Sequence, residues 1–126
     1  MKRWLTLSIA VLVAAAFALR PVRAEEGQKQ QTAKEVTVKG EVLDMACYLD
    51  HGAHGEKHAD CAKTCIESGL PVGIKGEDGK TYLLIGEHEP INKQLAAYAA
   101  KTITVKGKLV ERDGFRMIAN AEIVSK

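Results

Sequence analysis

Two short stretches of this chain say nearly the same thing. Val36-Thr37-Val38-Lys39-Gly40-Glu41-Val42 returns close to the C-terminus as Ile103-Thr104-Val105-Lys106-Gly107-Lys108-Leu109. Each alternates apolar and polar residues with the period of a half-buried strand, and each carries glycine at the same point. Two copies separated by most of the domain are not a solenoid, which needs contiguous repeats. They predict two strongly curved strands with equivalent places in one closed sheet. The glycine would let each strand coil round a barrel corner.

The stretches between them supply the remaining elements. Val72-Gly73-Ile74 begins a second strand, Glu77-Asp78-Gly79-Lys80 is a hairpin turn, and Thr81 to Ile85 is the return strand. Ile91, Leu95 and Tyr98 recur at helical spacing, which predicts a helix over Ile91–Ala100. Thr102 to Val110, the turn Arg112-Asp113-Gly114 and Phe115 to Val124 make a final hairpin. The order is strand, helix-bearing insertion, hairpin, helix, hairpin. Five strands with a helix between the third and fourth is the order of the OB-fold, a small Greek-key barrel. The chain resembles the small exported OB-fold proteins of bacteria through Val36-x-Val-x-Gly40, Ile103-x-Val-x-Gly107 and the Ile91–Ala100 helix. The fold class so implied is β-rich (α+β), a five-stranded OB-like barrel over residues 36–126. The resemblance leaves the segment between strands one and two unexplained, and the fold alone does not give a function.

The N-terminus reads as a targeting segment. Met1-Lys2-Arg3 is basic, Trp4 to Leu19 is mostly apolar, and Val22-Arg23-Ala24 offers a small-x-Ala cleavage site. Residues 1–24 are expected to be a secretory signal peptide, an uncleaved anchor being the alternative, and the mature protein to be periplasmic or secreted. Residues 25–35 would be a flexible polar lead-in. Removing the signal changes the charge. The whole chain carries 18 basic and 16 acidic residues. Lys2, Arg3, Arg20 and Arg23 leave with the signal, so the mature chain is at about −2. The basic balance belongs to targeting. Nucleic-acid binding, which needs a basic groove and exposed aromatics, is therefore not expected, nor is a membrane role after cleavage.

All three cysteines and three of the four histidines fall between Cys47 and Cys65. Thiolate and imidazole are the donors that bind zinc or copper. A helix over His54–Gly69 would place His54, His58, Cys61 and Cys65 on one face, but spread along about 16 Å of axis, too far for one ion. Two or three adjacent residues can share an ion if another donor folds over them. Cys47, at the expected end of the first strand, is that donor. The expected ligand set is Cys47, His58, Cys61 and Cys65, with His51 and His54 as alternative or neighbouring groups. Met45 and Met117 are expected in the core, and His88 in a solvated loop.

The rival reading is a disulfide from Cys47 to Cys61 or Cys65, with one thiol left over for a redox accessory role on a periplasmic protein partner. No C-x-x-C or C-x-x-C-H motif occurs, and Cys61–Cys65 within one helix is poorly placed to bridge. No nucleophile elbow, zincin helix or phosphate loop is present. A Cys47–His51 nucleophile pair would lack a third member and an oxyanion hole, so the sequence leans against enzymatic activity without deciding it.

Overall fold

The computed structural model describes residues 34–126. The expected signal peptide and most of the expected lead-in, residues 1–33, lie outside the described residues. Five strands, β1 (Lys34–Asp44), β2 (Val72–Gly76), β3 (Thr81–Leu84), β4 (Thr102–Arg112) and β5 (Phe115–Ser125), close into a barrel in the order β1-β2-β3-β5-β4. All neighbours are antiparallel except β3 and β5, which are parallel.

The echoed stretches turn out to be partners. β1 and β4 pair antiparallel with Val36 opposite Gly107, Val38 opposite Val105 and Gly40 opposite Ile103. A local two-fold centred on the Val38–Val105 pair therefore exchanges the two copies, position for position. Val38, Gly40 and Val42 face inward on β1, as Ile103, Val105 and Gly107 do on β4. Each glycine then meets the strand on its far side. A Cβ at Gly40 would collide with the Lys75 carbonyl of β2, and one at Gly107 would come within 2.7 Å of the Ala119 carbonyl of β5. Gly107 also sits where the β4–β5 register shifts, between Lys106 and Lys108. The repeat exists because a closing barrel needs the same close approach on both sides of one strand pair.

The turns follow their local chemistry. Asp113 and Gly114, both at positive φ (50° and 84°), form the two-residue loop between β4 and β5 that matches sheet twist. Asp78 organises the β2–β3 turn, accepting from the Lys80 amide at 3.0 Å and the Tyr82 hydroxyl at 2.6 Å.

Three helices accompany the barrel: α1 (Met45–His51), α2 (Ala59–Glu67) and α3 (Asn92–Leu95). The helix expected over Ile91–Ala100 is shorter than its periodicity suggested. It is one turn of α-helix continued by a 3₁₀ turn at Ala96–Tyr98. It is cut short because its end is drawn to β1, where the Ala100 amide bonds the Val42 carbonyl at 2.9 Å and the Val42 amide bonds that of Lys101 at 3.0 Å. Leu95, Ala96 and Ala99 enter the core beside Val42, Ile74 and Ile118. Among the described residues, no helix is long and apolar enough to cross a membrane.

Candidate metal centre

The insertion between β1 and β2 differs from the expected single helix. Cys47 is not at the end of a strand. β1 stops at Asp44, and Met45–His51 forms the separate helix α1. The helix expected from His54 is regular only from Ala59, with a 3₁₀ turn at Glu56–His58 before it. His54 thus lies in the connecting loop, not on a helix face. The reason is local: Gly52 and Gly55, at φ 72° and 79°, break the helical path on either side of Ala53. The sequence contained the signal for α1, since Asp44 is a good N-cap and Gly52 a good stop.

Asp44 builds the first half of the site. It is buried, at 2% exposure, and caps α1 by accepting from the Ala46 amide at 3.2 Å and the Cys47 amide at 3.1 Å. Cys47 therefore emerges from the first turn of a helix anchored to the barrel, and Met45 beside it is in the core. An acidic residue beside a donor cluster is ordinarily solvated, and its burial here is set by the fold.

The second half is α2. Ile66 is fully buried in the core, with Ala62 packed one turn earlier. Burying one isoleucine is worth about 2 kcal/mol, so this side of the helix is fixed inward. Cys61 and Cys65, one turn apart, lie on its flank, Cys61 exposed and Cys65 half-buried. The helix ends at Glu67, just before Gly69, where the expected helix stops. Gly69 adopts φ 99°, its amide bonds the Ile66 carbonyl at 3.1 Å, and the Leu70 amide bonds that of Cys65 at 3.1 Å. Asn92 of α3 then clamps this end, its Nδ2 donating to the carbonyls of Ile66 (2.8 Å) and Leu70 (2.7 Å).

Between the halves, Glu41 of β1 holds the loop. Its carboxylate accepts the Gly55 amide and faces His54 Nδ1 at 3.7 Å. The loop is folded back on the barrel, and α2 is brought beside α1.

The result is a convergence of three sulfurs. The Sγ atoms of Cys47, Cys61 and Cys65 all lie within 4.8 Å of one another, and none is bridged. Three thiolates bound to one tetrahedral zinc at 2.3 Å would stand about 3.8 Å apart, so a small contraction brings them to bonding positions. This is the one such group of His, Cys, Asp and Glu donors among the described residues. The histidines stand outside it. His51 Nδ1 pairs with Asp50 at 3.1 Å, His54 faces Glu41 and packs edge-on against Tyr48, and His58 is exposed at the head of α2. His88 is exposed, as expected, and Met117 half-buried.

The electrostatics around the sulfurs are unusual for reactive thiols. The hydrogen bond from the Cys47 thiol to Asp44, reinforced by burial and by the carboxylate charge, pushes the Cys47 pKa up to about 12. Burial, chiefly, also raises that of Cys65. Nucleophilic and redox-active cysteines depend on the opposite shift. At neutral pH these two thiols hold their protons until a cation displaces them, which couples metal uptake to proton release. With Cys61 exposed, the site opens toward solvent on one side, where a fourth ligand can enter. No family model, curated protein or solved structure matches this chain significantly, so the reading of this centre rests on its own geometry.

Proposed function

We propose that the protein is an exported transition-metal-binding protein, taking zinc or copper at Cys47, Cys61 and Cys65 on an OB-like barrel. The convergence of three unbridged sulfurs from two separately anchored helices carries this reading. Thiolates select soft and borderline ions of this kind. The strand order 1-2-3-5-4 and the helical segment between β3 and β4 support the OB-like assignment. The metal site would then occupy the connection between strands one and two, a place that OB-folds commonly give to ligands. Export to the periplasm or beyond is proposed from the leader-like residues 1–24. A site with three protein ligands and one open position suits an ion that is exchanged with a partner better than one that is purely structural.

The alternative is a thiol–disulfide accessory protein with one bridge and one free cysteine. The proximity of the sulfurs is compatible with it, but two of the three thiols are held in the protonated form, which opposes exchange chemistry.

The deciding experiment is metal analysis with thiol titration on protein purified from the periplasm, with and without chelator. About one equivalent of metal per chain, lost on Cys61→Ser and kept on His58→Ala, is the expected result. Metal-free protein with one disulfide and one free thiol would sink the metal reading and support the alternative.

A further inference from the structure

The three sulfurs do not stand alone. Among the described residues Asp44 is the one charged residue that is buried, and its carboxylate bonds the backbone of Cys47. Its two oxygens each accept one backbone N–H, from Ala46 and from Cys47, and the same carboxylate takes the Cys47 thiol hydrogen. Among the described residues, none of the Lys, Arg or His ion pairs involves it. A capping role needs only a side-chain oxygen, which serine, threonine or asparagine supplies without a charge. Placing a carboxylate there, buried and without a counter-cation, is costly unless a positive charge is brought to it.

We infer that Asp44 is the metal-selectivity residue of the three-cysteine site, biasing it toward a divalent ion such as zinc over monovalent copper. The inference rests on the metal-binding reading above. Charge sets the preference. Three thiolates repel one another equally whichever ion they bind, and their softness alone would favour monovalent copper as much as zinc. The Asp44 carboxylate adds an attraction proportional to the charge on the ion, so a divalent ion gains twice what a monovalent one does. The carboxylate is shielded from water, and at short range with an effective dielectric of about 20 one extra unit charge is worth a factor of about ten to a hundred in relative affinity. Asp44 acts through space and through Cys47, so it needs no direct bond to the ion.

The test is the ratio of Zn²⁺ to Cu⁺ affinity, measured by competition with chromophoric chelators at fixed pH under reducing, oxygen-free conditions. The chain carries Asp44, Asp44→Asn or Asp44→Ser. Both variants keep an N-cap acceptor for α1 and remove the charge, and far-UV circular dichroism shows that each is folded. The ratio is expected to fall about tenfold or more in both variants. A fall of at least threefold supports the inference. A ratio changed by less than threefold overturns it, even if both affinities drop together, because a proportional loss marks a purely positional role. If the unsubstituted chain binds neither ion, the metal-binding reading itself fails, and the inference with it. Wild-type binding with an unmoved ratio removes the inference alone.

Discussion

The barrel and the insertion it carries are held together by different means. In the barrel, Val42, Ile74 and Ile118 are wholly shielded from solvent, and each strand is bonded on both sides. In the insertion between β1 and β2, only Met45, Ala53 and Ile66 are buried hydrophobics. The rest of its attachment is directional and polar: the Asp44 cap, the Glu41 hold on Gly55, and the Asn92 clamp on the end of α2. Packing resists distortion at many points, whereas a few hydrogen bonds can open one at a time. The insertion should therefore open at lower free energy than the barrel. The three sulfurs join α1 to α2 where apolar packing is thinnest, so a bound ion would fasten the part that needs it.

The strongest challenge to this contrast is a cavity in the barrel. Ile74→Ala should lower global stability by about 2–5 kcal/mol, read from urea unfolding. A loss below about 1 kcal/mol would mean that the barrel is not the stable part. Asn92→Ala should cost less, about 1 kcal/mol, and the loss should be local. Hydrogen exchange should quicken in α2 while the β1–β4 amides keep their protection. Equal loss of protection in both regions would erase the distinction.

Alkaline titration sharpens the picture at the site itself. The Cys47 thiol has a folded-state pKa of about 12, against an ordinary value of 9.0. The folded chain thus holds a proton that the unfolded chain gives up. Stability from this source is fully present below pH 9 and should drain away as pH rises toward about 12. Metal-free Cys47→Ser should show a shallower decline across that window, followed by thermal unfolding. Parallel curves for the two proteins would show that Asp44 does not hold the thiol proton. The smallest effect is expected on the solvent side of α2. Lys63 and Glu67 are 3.9 Å apart, with both side chains more than half exposed. Lys63→Ala should change stability by less than about 0.5 kcal/mol in chemical denaturation.

Where local rules governed, the sequence was sufficient. Period-two alternation located β1 and β4, Asp113-Gly114 located the last hairpin, and Gly69 located the end of α2. Each of these depends on residues adjacent in the chain. Reading failed where an element is set by what surrounds it. The periodicity of Ile91, Leu95 and Tyr98 overstated a helix whose last residues are diverted to β1. The density of Cys and His between 47 and 65 marked the site, but it did not separate the cysteines from the histidines. That separation depends on where α1 points relative to α2. Nothing in the sequence marks Asp44, because an acidic residue beside a cluster is ordinarily solvated and burial is not written in the residue type.

By itself, then, the sequence determined a curved β-rich chain with repeated glycines and a soft-donor insertion. Only the tertiary structure decided that the two copies of the repeat pair with each other and that three sulfurs, without the histidines, converge. It also decided that a buried carboxylate stands behind them. The physical reason is range. Alternation, capping and turn chemistry act over a few residues, whereas a site joining Cys47 to Cys65 depends on how two helices are hung from one barrel. Those attachments, Ile66 in the core, Asn92 across from α3 and Glu41 from β1, join residues far apart in the chain.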